Sequence, residues 1–105
     1  MYIKGVNKDL SPKHSNFKFT IGGTFESEKG YFFCDNAVNI MEYFDNPRKI
    51  KFLEIKPEAE IEIPYSFEKG TYKCKKITII REIPHREIKE TDYNVHTRLD
   101  TFSTI

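Results

Sequence analysis

Tryptophan is absent from this chain, and cysteine appears only at Cys34 and Cys74. The two cysteines are far apart and form no CxxC pair. That excludes a thiolate metal knot, and reduced, partly buried thiols are expected in place of a disulfide framework. Histidine is nearly as scarce: His14, His85 and His96 each stand alone in polar surroundings. No HxH or HExxH spacing exists, so no metal site is expected. The Gly22-Gly23 pair leads into "TFESEKG", not into a Lys-Ser/Thr that opens a helix, so a phosphate loop is excluded and no cofactor is expected. No stretch approaches the ~20 apolar residues of a membrane helix. The opening "MYIKGVNKDL" carries no apolar run of the secretory kind. A cytoplasmic protein without a membrane partner is the expectation. An excess of one charge is missing too. With 17 basic and 16 acidic residues the net charge is +1, which argues against the broad basic footprint of a nucleic-acid binder.

What is present suits a small folded core. Hydrophobic residues make up 38% and charged residues 31% of the 105, too apolar a balance for disorder and polar enough for solubility. A second independent core would be too small to stand, so one domain is expected over 1–84. Residues 85–105 read as a C-terminal extension: a docked arm, an added strand or a loose tail. Nine Phe and six Tyr supply large side chains for the interior.

Along the chain, "MYIKGVN" reads as a short strand. "FKFTI" alternates, with Phe17, Phe19 and Ile21 on one side, as a half-buried strand does. "GYFFC" is dense and apolar on both faces, which predicts a central strand covered twice. Asp35 then stands where a helix cap belongs. Ala37, Ile40, Met41 and Phe44 fall on one helical stripe, and Pro47 stops it. From Leu53 to Ile63 apolar and acidic residues alternate as in a strand, bent or edged at Pro57. "KCKKITIIREI" reads as a second long strand with Ile77, Ile79 and Ile83 on one face, ended by Pro84. The expected fold is α+β: an antiparallel or mixed sheet of five to six strands with one helix, about 36–44, packed on it.

The stretch "EKGYFFCDNAVNIMEYFDNP" invites comparison with an RNA-reading strand. Lys29, Gly30, Tyr31 and Phe33 fit that motif, but Phe32 stands where a small residue belongs and Asn36 where an aromatic belongs. Cys34, in so apolar a strand, reads as a core thiol and not a nucleophile. The strongest surface signal is the acidic row "EIKPEAEIE". Glu54, Glu58, Glu60 and Glu62 fall on one strand face. Such faces are solvated and discourage edge pairing, and they also suit a basic partner. This face is the candidate partner-binding surface.

The order of "YIKGVNKDL", "FKFTIGGTFE", "GYFFCDNAVNIMEYF" and "CKKITIIREI" resembles a small domain family of unknown function, common in bacteriophage and prophage genomes. There the pieces read roughly "KGF-x-x-DL", "F-x-Y-x-x-G-x-x-Y", "GFHFC-x-N-x-x-D-x-x-x-YY" and "K-x-x-A-x-K-I-x-I". Phe32 replaces the family's usual His, and Asn39 its acidic residue. The glycine-aromatic-aromatic strand followed by a helix also resembles ADP-ribosyltransferase-like folds, with Glu82 as the late glutamate. The first resemblance implies a phage or mobile-element protein that binds a host macromolecule, a protein, in the bacterial cytosol. Inhibition of a defence nuclease of the CRISPR type is the implied action. The alternatives are an ADP-ribosyltransferase-like enzyme or nucleotide sensor, and an RNA-binding domain.

Overall fold

The described residues form four antiparallel strands: β1 (Tyr2–Asn7), β2 (Thr24–Cys34), β3 (Ile50–Pro57) and β4 (Thr71–Ile83). The computed structural model describes residues 1–12, 17–37, 39–40, 49–64 and 70–91. The strands hydrogen-bond in the order β1-β2-β4-β3, and β3 returns to β1 to close a barrel. Beyond Pro84, which has no amide proton to extend the ladder, the chain turns into α1 (His85–Thr91).

The strand count corrects the expected sheet of five to six strands. "FKFTI" does not become a strand. Only Phe19 is buried, while Phe17 and Ile21 stay 43% and 49% exposed, so its alternation reflects a loop that inserts one ring. The alternating run that begins at Leu53 stops as a regular strand at Pro57. The expected packed helix over 36–44 is corrected as well. The described chain is mostly sheet, with α-helical backbone at Ala37, Asn39 and Ile40 and in α1 and a single 3-10 position at Lys49. Met41 and Phe44 lie outside the described residues. Asn36, not Asp35, caps this short helical stretch: its Oδ1 accepts the Asn39 N–H at 2.9 Å.

Two apolar layers flank the sheet. Val6, Phe19, Phe33, Leu53, Ile55, Cys74, Ile77 and Ile79 fill the barrel interior. Ile3, Cys34, Ile50, Phe52 and Ile83 point outward and are covered by Ala37, Ile40 and Ile88. Neighbours such as Phe33 and Cys34, or Phe52 and Leu53, are therefore both buried, one in each layer, because successive side chains point to opposite faces. "GYFFC" is covered twice at Phe33 and Cys34, but Phe32 is 40% exposed. The expected single face of Ile77, Ile79 and Ile83 is split. The register between β3 and β4 shifts by one residue between Glu54 and Ile55, which sends Ile83 to the outer layer.

The β1–β2 seam is the thinnest part of the barrel, with one paired position, Ile3 against Cys34. β2 also bulges: Glu26 pairs with Lys76 and the next pair is Tyr31 with Cys74. Gly30 permits that bulge with φ of +79°, and a Cβ there would lie 2.7 Å from Lys73 Cε.

Candidate binding surface

The barrel interior holds one buried ammonium among the described residues. Lys4 extends from β1 into the seam, where its Nζ donates to the Phe32 carbonyl at 2.7 Å. The ammonium also lies 5.9 Å from the centroids of both Phe19 and Tyr31. It closes with a side chain the gap that the missing β1–β2 ladder leaves. Burial pulls its pKa down to about 8, against a smaller opposing pull from Cys34. Tyr31 has its ring against Phe19, with centroids 5.6 Å apart, so its face is committed to packing; Phe32 is the aromatic that looks outward. Cys34 and Cys74 are free and buried, and burial pushes the Cys34 thiol above its ordinary range.

A polar corner joins the end of β2 to the start of β4. Asp35 accepts from the Tyr72 hydroxyl at 2.9 Å, Asn36 Nδ2 donates to Asp35 at 2.8 Å, and Asn39 Nδ2 donates to Thr71 at 3.3 Å. Gly70, at φ of +92°, packs against this corner: a Cβ would lie 2.7 Å from Asp35 Oδ1. These polar atoms are paired with one another, and the arrangement serves to tie β2 to β4. Glu82 stands at the end of β4 in an ion pair with Lys51 at 3.2 Å. His85 Nε2 lies 3.1 Å from the Ile50 carbonyl, whereas His14 and His96 lie outside the described residues. Among the described residues no three His, Cys, Asp or Glu side chains are grouped to hold a metal ion.

The four candidate glutamates stand in two structural settings. Glu54 faces Arg81 across the β3–β4 ladder and accepts from its Nε at 2.8 Å. The same guanidinium grips Glu87 of α1 with both terminal nitrogens, at 2.9 and 2.6 Å. Glu54 thus belongs to the clamp that docks α1. Glu58, Glu60 and Glu62 follow Pro57 on an exposed segment that continues along β4. The Glu58 amide donates to the Lys76 carbonyl at 2.8 Å, and its carboxylate accepts from the Thr78 hydroxyl at 2.9 Å. Glu62 exchanges both backbone bonds with Lys73, at 2.7 and 2.9 Å. Across from it, Lys73 holds its ammonium 5.7 Å from the Phe32 ring.

The alternation that gave the segment its strand signal also implied that Ile61 and Ile63 are buried. They are 36% and 78% exposed. The β1–β3 pairing has its last pair toward this segment at Tyr2 against Ile55, and the segment past Pro57 is bonded to β4 alone among the described residues. Sequence reasoning missed these two isoleucines as surface residues, and missed Lys4 as an interior one. A Pro57–Pro64 bracket around "EAEIEI" was the available signal for the first; a lone lysine between apolar neighbours in "YIKGV" was a weak one for the second.

A small closed antiparallel barrel, packed inside and clamped by the helix that follows β4, is the class of protein these features define. The chain belongs to a family described as "Domain of unknown function (DUF7666)", whose profile matches residues 1–91. That span ends with the last residue of α1. No curated protein matches the chain, and no solved structure does. No helix among the described residues is long and apolar enough to cross a membrane.

Proposed function

We propose that the protein is a non-enzymatic binding module that docks a partner protein on its outer surface, at the segment from Glu58 to Ile63. The observation that carries this reading is one row that combines three exposed glutamates with two exposed isoleucines. Such a mixture of apolar and charged groups is what a recognition patch presents. The barrel interior is occupied by its own side chains, which directs recognition outward. The similarity of its motifs to a bacteriophage and prophage domain family supports a mobile-element origin, action in the bacterial cytosol and a host protein as the target. A defence nuclease of the CRISPR type is the target class that this similarity favours.

The test is capture from bacterial lysate with tagged protein, wild type against a variant with Glu58, Glu60 and Glu62 all changed to Lys. Circular dichroism establishes that both are folded. Wild type enriches one protein, and the variant loses it. Equal capture by both removes this surface from the function.

A further inference from the structure

We infer that the segment between Pro57 and Pro64 binds its partner by strand addition, taking an extended stretch in which basic and apolar residues alternate. This rests on the protein-binding reading above and names the mode and chemistry of the contact. Because Glu62 turns both its N–H and C=O to Lys73, the N–H and C=O of Ile61 and Ile63 point to the opposite edge. Among the described residues these groups have no hydrogen-bond partner. An edge of this kind is a template for another strand. Its extent is limited, since neither Pro57 nor Pro64 has an amide proton to offer.

The side chains select the occupant. In a strand laid antiparallel on this edge, directly opposed residues share a face. A second copy of "EAEIEI" in a register that sets Ile61 against Ile61 also sets Glu60 against Glu62. Like charges directly opposed disfavour that pairing. Lys or Arg opposite the glutamates, with Val or Ile opposite Ile61 and Ile63, satisfies both faces. The charge of the row therefore selects a basic partner segment over self-association.

The probe is a synthetic peptide of alternating lysine and valine, followed by titration and amide hydrogen exchange on the intact protein. The expected result is protection of the Ile61 and Ile63 amides. Affinity falls roughly tenfold or more when alternate peptide amides are N-methylated to block one edge, and by a similar factor for Glu60→Lys with Glu62→Lys. A peptide of alternating glutamate and valine does not bind. Three outcomes overturn the inference: no binding at millimolar peptide, binding indifferent to N-methylation, or protection that maps elsewhere. A dimer in sedimentation that Ile63→Lys dissolves also overturns it, because the edge then takes a second copy. If the peptide fails while lysate capture still depends on Glu58, Glu60 and Glu62, strand addition falls and the binding reading survives. If that dependence is absent, the binding reading itself has failed.

Discussion

Burial of the Lys4 ammonium between Phe19 and Tyr31 makes stability depend on alkaline pH. Its folded pKa of about 8 lies below that of an unfolded lysine. In the interval between the two values the unfolded chain holds a proton that the folded chain has released, so stability rises with pH. Wild type should gain about 2 kcal/mol between about pH 7 and pH 9.5, measured by urea unfolding. Lys4→Met should remove the gain, and a rise of equal size in that variant contradicts the assignment. Cys34, whose thiol burial holds protonated, acts with the opposite sign at the top of this range, and the comparison cancels it. Phe33 tests the interior without any charge. Its side chain is 2% exposed and meets the Tyr2 ring at 5.2 Å. Phe33→Ala should cost about 3–5 kcal/mol, a large part of a margin of about 5–15 kcal/mol. A melting temperature equal to wild type contradicts its place in the core. Phe33 was legible in the sequence because a large aromatic in a dense apolar strand has nowhere else to go. Lys4 was not, since the Phe32 carbonyl it bonds reaches it only once the sheet closes.

The elements separate by how local their causes are. β4 was legible nearly end to end, because its β-branched run is bounded by Gly70 and Pro84. β2 was read only in part, since its bulge depends on pairing with β4. The "FKFTI" segment was misread because alternation reports which residues prefer burial, not whether a partner strand is within reach. Helix α1 had little signal of its own; it is held by Ile88, 1% exposed, and by the Arg81 clamp on Glu54 and Glu87. Arg81 holds the Glu87 carboxyl below its ordinary range. A depressed carboxylate contributes stability above its unfolded pKa and loses it as pH falls through the folded one. Hydrogen exchange of the α1 amides should therefore quicken in acid relative to the barrel strands. Glu87→Gln should show fast α1 exchange already at neutral pH, and unchanged protection in that variant removes the clamp from the account. At the other end of β4, Gly70→Ala places a Cβ against Asp35 at positive φ. It should destabilise by more than about 1 kcal/mol; an unchanged denaturation midpoint would show that the turn relaxes at no cost.

For the whole molecule, the closed sheet decides which surfaces remain for recognition. Closure consumes the edges of β1 and β3 that pair with each other, whereas the run from Glu58 to Ile63 is bonded along β4 and exposes its side chains. The acidic row was legible as a surface from its charge alone. Its division was not: Glu54 is drawn into a structural clamp by Arg81, a residue distant in sequence, and Ile61 and Ile63 stay exposed on a segment bonded to β4 alone among the described residues. Low net charge is consistent with a local patch that acts at short range, as does any exposed charge within a Debye length of about 8 Å at physiological salt.

The most direct measurement places a photoreactive side chain in bacterial cells at Ile63, and separately at Phe17, which is exposed on the loop between β1 and β2. A single cross-linked partner at Ile63, lost when Glu58, Glu60 and Glu62 are changed to Lys, is the predicted result. Cross-linking of one partner at Phe17 and none at Ile63 would contradict it.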